Sequence, residues 1–291
     1  MLLVVVGPTA SGKSAFAVKL AKKFGGEIIS ADSRQVYKGL DIGSGKITKS
    51  EMMGIPHHLL GIASPKRRFT VAQYCILAKN ALDAIMKKKK LPIIAGGSPF
   101  YIYSLVDGWN IPEVKPNEKL RKKLEKENLE QLFTKLKKLD PARAKTIESK
   151  NKRRLIRALE IIHTTGKPVS QFKKHPLPYP VLFLGLRKSP EELKKLIKKR
   201  FLNMLKKGLL AEVKKLKSSG LSWQRIESFG LEYHEASQYL QGKLTKTQMI
   251  EQAVKATEDF ARRQMTWFKK DKRIRWAGTQ RQLLHFWQGV L

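Results

Sequence analysis

Gly7-Pro8-Thr9-Ala10-Ser11-Gly12-Lys13-Ser14 is a complete G-x-x-x-x-G-K-[ST] phosphate loop. It follows directly on the apolar run Leu2–Val6 and opens a helix-like stretch over Ser14–Phe24. Such a loop needs both neighbours, a strand to hold it and a helix N-terminus to aim at the anion. Backbone N–H groups over Gly7–Gly12 wrap a diphosphate in this arrangement. Lys13 neutralises it and the Ser14 hydroxyl sits on Mg²⁺. The chain is therefore expected to grip a phosphorylated molecule.

Outward from the loop, short apolar runs recur at Glu27–Ala31, His58–Ile62, Leu91–Ala95 and Val181–Leu186, and Arg273–Ala277 could return to the same layer. Most are separated by helical spacing. Over Thr70–Met86, for example, Val71, Tyr74, Cys75, Leu77, Ala78, Ala81, Leu82 and Ile85 make one broad stripe. Strand and helix alternating in this way predict a parallel sheet covered on both faces. Ligands then bind beyond the carboxyl ends of the strands. The loop after the first strand, Asp32 after the second and Gly96-Gly97-Ser98 after the fourth should meet at one rim.

Further helices are expected over Lys119–Leu139, Arg153–His163 and, from Pro190, Glu191–Gly208, Leu209–Ser218, Leu231–Gln241 and Thr245–Phe268. Pro190 follows Ser189 at a first helical position, and Gly208, Gly220 and Gly242 are stops. The fold class is α/β: a phosphate-loop parallel sheet core with helices on both faces, plus a mainly helical insertion or second region. The core is placed at 1–115, continued by 150–190 and 268–291. Helical regions facing a polyanion take 116–149 and 191–267.

Charge sets the partner class. The 291 residues carry 59 Lys or Arg against 24 Asp or Glu, a net +35. Residues 152–215 alone hold 18 basic and 4 acidic residues. A field of this size attracts nucleic acid, although 43 of the 59 are lysines that could equally be solvated helix faces. A lone cysteine, Cys75, permits neither an internal disulfide nor a zinc cluster. No apolar run approaches the roughly 18–20 residues of a membrane span, and a cleaved leader would remove the phosphate loop. A cytoplasmic enzyme is expected.

Asp32 at a strand end could bind Mg²⁺, act as a general base or cap a turn. Neither Leu91–Ala95 nor Val181–Leu186 ends in the metal-holding acid of NTP-hydrolysing loops, so a diphosphate leaving group fits better than a hydrolysed nucleotide. Ser98 offers a hydroxyl between glycines and a helix. Asp41–Lys46 reads as a flexible, Gly-rich loop that orders over substrate. His57-His58 on a strand point to opposite faces and make a poor metal site. Arg153, Arg154 and Arg157 on one helix suit phosphate contact. Arg262-Arg263-Gln264 beside Trp267 and Phe268 interleaves cations with aromatics, with Trp267 packing inward and Arg263 reaching out.

Taken together, the motifs resemble the tRNA dimethylallyltransferases. They run in order along nearly the whole chain: GPTASGKS at 7–14, ADSRQVYKGLDIGSGK at 31–46, GIPHHLLGI at 54–62, FTVAQY at 69–74, PIIAGGSPFY at 92–101, RRLIRALEI at 153–161 and ARRQMTWF at 261–268. The resemblance implies transfer of a dimethylallyl group from its diphosphate to N6 of the adenosine 3′ to the tRNA anticodon, with Mg²⁺. Asp32 then matches the general base, and Lys13 and Ser14 match the diphosphate and metal contacts. Ser98 stands where the family has threonine. The tRNA-contacting set becomes Asp32, Ser33, Arg34, Gln35, Ser98, Arg121, Arg153, Arg154, Arg157 and Arg263. The partner is an anticodon stem-loop, and the enzyme is expected to be a monomer away from membranes. Two positions depart: Glu227, with Arg225 two residues earlier, where the family often has an arginine, and Asn151 in place of an acid. A phosphate-loop small-molecule kinase, a prenyltransferase of free adenine nucleotide and a basic RNA-binding protein with a vestigial loop are the alternatives.

Overall fold

The computed structural model describes residues 1–109, 114–169, 175–279 and 282. At the centre of the sheet, β1 (Leu2–Val6) is 0% exposed at all five positions. That is what an unbroken apolar run predicts for a strand covered on both faces, and each such side chain contributes about 1.5–3 kcal/mol of burial. β2 (Gly26–Ser30), β3 (His57–His58), β4 (Leu91–Gly96), β5 (Val181–Leu186) and β6 (Ile274–Ala277) complete a six-stranded sheet in the order β3-β2-β4-β1-β5-β6. Every neighbouring pair is parallel, and Val4 stands between Ile94 and Phe183. The doubly wound α/β fold expected from the alternation is the fold found. β3 is shorter than the run His58–Ile62 suggested. Leu59 turns to a left-handed φ of 65°, which ends the ladder, and Ile62 is left 41% exposed.

Five helices precede or follow the first four strands: α1 (Lys13–Phe24), α2 (Lys49–Met52), α3 (Val71–Lys87), α4 (Pro99–Val106) and, further on, α5 (Glu118–Glu125). α1 buries Phe16, Ala17, Val18, Leu20 and Ala21 against β1, β4 and β5. α3 starts at a Thr70–Gln73 capping box and buries Tyr74, Ala78, Ala81, Leu82 and Ile85. Leu77, counted in that stripe, lies 39% exposed instead. α6 (Leu129–Leu139), α7 (Pro141–Thr146), α8 (Lys152–Thr165), α9 (Pro190–Lys206), α10 (Leu209–Ser218), α11 (Trp223–Glu227), α12 (Leu231–Leu240) and α13 (Lys246–Phe268) supply the rest. The single helix expected over Lys119–Leu139 is two, because Asn128 and Gln131 form a capping box that starts α6 afresh.

The chain divides into two compact units, Met1–Ile102 with the chain from Pro178 onward, and Tyr103–Leu177. The boundaries drawn from composition at 115/116, 149/150 and 190/191 lie elsewhere. Leu155 and Leu159 of α8 share a core with Leu132 and Leu136 of α6, so α8 belongs with the helices before it. α9 to α13 belong to the unit of the sheet, where side chains from α9, α10 and α13 bond to the loops at the strand ends.

Candidate active site

The phosphate loop is shaped by residues that leave ordinary backbone space. Gly7 has φ 155°, Gly12 84°, and Ala10 takes a left-handed 62°. Ser11 N–H donates to Pro8 O at 3.3 Å and the Lys13 ammonium reaches the same carbonyl at 3.2 Å. Thr9 is buried, and Ser11 is 4% exposed. The Ser11 Oγ has no hydrogen-bond partner among the described residues. Gly12 caps α1 without a side chain, so the first amides of the helix stay available to an anion. Ser14, in the first turn, is exposed. Burial pushes the Lys13 ammonium down to about 8; Asp32 opposes this and Arg200 adds to it. A half-buried lysine held beside a second cation is poised to gain most from a polyanionic ligand.

Asp32 stands where β2 ends. Its Oδ1 accepts the Arg34 N–H at 2.8 Å and the Gln35 N–H at 3.3 Å, closing a turn. Oδ2 accepts no hydrogen bond among the described residues. The turn is tied to the fourth strand end, since Ser33 N–H donates to Ser98 Oγ at 3.1 Å and Ser98 N–H to Ala31 O at 3.1 Å. The phosphate loop, the Asp32 turn and Gly96-Gly97-Ser98 thus share one rim, as the topology required.

Three residues at this rim were not singled out as site residues beforehand. Gln264 of α13 is 3% exposed. It accepts from Thr9 N–H at 2.8 Å and donates to Gly97 O at 2.5 Å. Its motif, Arg-Gln-x-x-Trp, shows in the sequence, but nothing there marks the glutamine apart from the cations and aromatics beside it. Arg200 of α9 lies near Lys13 and donates to Ser44 O at 3.3 Å. In a helix rich in lysine nothing marks it, although a Cβ on Gly45 would overlap its guanidinium. Glu212 of α10 accepts from the amides of Asp41, Ile42 and Gly43 at 2.9, 2.7 and 3.0 Å, and from Tyr233 OH at 2.7 Å. With Gln35 Nε2 on Gly45 O at 3.1 Å and Lys46 on Asp41, the Asp41–Lys46 loop is fixed, which corrects the expectation of a flexible one.

The remaining candidates sort by their partners. Arg34 Nε donates to Phe229 O. Arg225 is a brace: it donates to Pro65 O at 2.8 Å and Arg67 O at 2.9 Å, with its guanidinium 4.6 Å from the Phe229 ring centroid. Glu227 accepts from Gln238 and Gln241 at 2.8 Å. His57 Nδ1 meets Ile55 O at 2.8 Å, and His58 pairs with Glu27 at 2.8 Å. Arg263 is exposed, 6.0 Å from the Phe260 ring centroid. Trp267, expected to pack inward, is 38% exposed, and Phe268 takes the buried position.

Arg121, Arg153, Arg154 and Arg157 belong to the second unit. Asn151 caps α8 through its side chain, a role that asparagine fills as well as an acid. Arg153 is exposed and Arg154 pairs with Glu148 at 3.2 Å. Arg121 and Arg157 both bond Glu160, at 2.8 and 2.6 Å, and Glu160 is 0% exposed. Burial alone would raise this carboxyl; Arg121, the Asn117 amide and Arg157 override it and hold it at about 2. Glu160→Gln should therefore cost this unit about 3 kcal/mol in urea unfolding at neutral pH, because it leaves two arginines without their carboxylate. The depressed value means the contribution is present above about 4.5 and lost as pH falls toward about 2. The difference between wild type and variant should shrink across that window, and a constant difference would show that the charge is not its source.

A parallel sheet with this loop on its central strand, and a half-open carboxylate on the next strand but one, defines a phosphate-loop α/β group-transfer protein. Its family follows from comparison: the family model described as IPP transferase matches residues 35–271, and the chain belongs to that family. A tRNA dimethylallyltransferase of Anoxybacillus flavithermus is 42% identical over 94% of this chain and 89% of its own. One from Carboxydothermus hydrogenoformans is 40% identical over 97% and 93%. Among solved structures, the full-length tRNA isopentenylpyrophosphate transferase of Bacillus halodurans superposes with a TM-score of 0.71 at 37% identity, covering 95% of this chain and 89% of that one. A eukaryotic dimethylallyltransferase acting on tRNA gives 0.77 at 31%, covering 91% and 69%.

Proposed function

We propose that the chain transfers the dimethylallyl group of dimethylallyl diphosphate to N6 of the adenosine 3′ to the anticodon of tRNA. The observation that carries this reading is the free Oδ2 of Asp32 at the same rim as the phosphate loop. The C1–O bond to diphosphate breaks, the N6–C1 bond forms, and Asp32 takes the displaced N6 proton. Lys13, Arg200 and the loop amides stabilise the charge that develops on the departing diphosphate. The target base leaves its stack to reach the rim, at a cost of about a few kcal/mol.

Hard oxygen donors, the exposed Ser14 hydroxyl and the Asp32 carboxylate, are of the kind Mg²⁺ takes together with phosphate oxygens and water. When bound there, the ion would add positive charge against the diphosphate. No group of three or more His, Cys, Asp or Glu side chains able to hold a metal occurs among the described residues, which fits an ion carried largely by its phosphate partner. No helix among them is long and apolar enough to cross a membrane.

Incubation with dimethylallyl diphosphate, Mg²⁺ and unmodified tRNA, followed by digestion and mass analysis, should yield N6-dimethylallyladenosine. Phosphoryl transfer from ATP, or modification of free AMP alone, would overturn the assignment. The excess of 35 positive charges should make tRNA affinity fall by more than about tenfold between 50 and 200 mM salt, the response of about two phosphate contacts. A flat salt response would remove the basic helices from the footprint.

A further inference from the structure

Gln264 is used by no step above, yet it is a buried carboxamide with both ends committed. Its Oε1 faces the Thr9 amide inside the phosphate loop, and its Nε2 faces the Gly97 carbonyl. Only one orientation of the amide places acceptor against N–H and donor against C=O, so the side chain cannot flip without losing both bonds. The residue after Gly97 is Ser98, whose hydroxyl receives the Ser33 amide and whose own amide reaches Ala31. Those two residues flank Asp32. A side chain from α13 therefore joins the diphosphate cradle to the turn that carries the base. Gly97 must lack a Cβ, because one there would overlap Nε2.

We propose that Gln264 is a positioning residue that fixes the separation between the phosphate loop and Asp32. The proposal rests on the function given above. It assigns Gln264 no contact with substrate; it sets how far the allylic carbon lies from N6 when both substrates are bound. Misplacement by about 1 Å in such a geometry costs on the order of 10²-fold in rate.

Gln264→Met keeps the length and removes both hydrogen bonds. In single-turnover assays with dimethylallyl diphosphate, Mg²⁺ and tRNA, its rate should fall about 10- to 100-fold, with the tRNA dissociation constant within about twofold and KM changed far less than kcat. A folded variant within about threefold of wild type would overturn the proposal, as would equal losses of rate and tRNA affinity. Gln264→Glu serves if the methionine variant does not fold. It keeps an acceptor for the Thr9 amide but sets a carboxylate oxygen against the Gly97 carbonyl, so its kcat should fall about 10- to 100-fold with KM and tRNA affinity within about twofold. A rate within about threefold of wild type overturns the proposal. Wild-type turnover in the same assay separates this test from that of the function itself: an inactive wild type refutes the function, whereas an active one with an unaffected variant refutes only the role of Gln264.

Discussion

Asp32→Asn should lower the single-turnover rate of prenylation by about 10²- to 10⁴-fold, the usual contribution of a general base, with tRNA affinity within about threefold of wild type. Asparagine is the informative replacement because Asp32 does two things. Its Oδ1 closes the turn by accepting the Arg34 and Gln35 amides, and an asparagine carbonyl can continue to do so. In the proposed reaction its Oδ2 meets the N6 proton, and an amide nitrogen there has no basic lone pair. Asp32→Ala removes both functions together. If Asp32 were only a turn former, the asparagine variant would keep its rate and the alanine variant alone would lose it. Parallel loss of rate and tRNA binding in both variants would also make the residue structural.

Lys13→Met should reduce kcat/KM for dimethylallyl diphosphate by about 10²- to 10³-fold, the scale of removing one preorganised electrostatic contact in an active site. The wild-type ammonium is half-buried against Pro8 O with Arg200 nearby, an arrangement that costs energy until an anion arrives. Methionine fills the same stem without charge. Affinity for inorganic diphosphate, measured by calorimetry, should therefore fall together with turnover, whereas melting temperature should hold or rise, since a poorly solvated charge has been removed. A variant that loses stability but binds diphosphate normally would place Lys13 in the scaffold rather than the cradle.

Much of this was legible in the chain itself. A phosphate loop announces its strand and its helix, and an apolar run such as Leu2–Val6 announces two-sided cover. Asp32 and Ser98 were found because topology alone sends strand ends to one rim. What stayed hidden were partners far apart in sequence. Gln264 lies 255 residues from Thr9 and 167 from Gly97, and nothing in the spacing of either segment points to the other. Arg200 among the lysines of α9 is of the same kind, because only the bare Gly45 opposite gives it room. Local chemistry misled in a different way at Asn128, where a residue tolerable inside a helix turned out to begin one. Ion pairs were also invisible. Arg121 and Arg157 read as cations for RNA, and their claim on Glu160 depends on a carboxylate buried by folding.

The anchoring of Asp41–Gly43 on Glu212 has an outcome for selectivity. Two glycine-bearing stretches of this protein point runs of amides at a negative group, and on paper they compete for the same guest. One of them already holds a carboxylate supplied by α10, which in the proposed reaction leaves the amides of the other for the diphosphate. A stretch of amides satisfied from within the chain is thereby removed from the contest for anions.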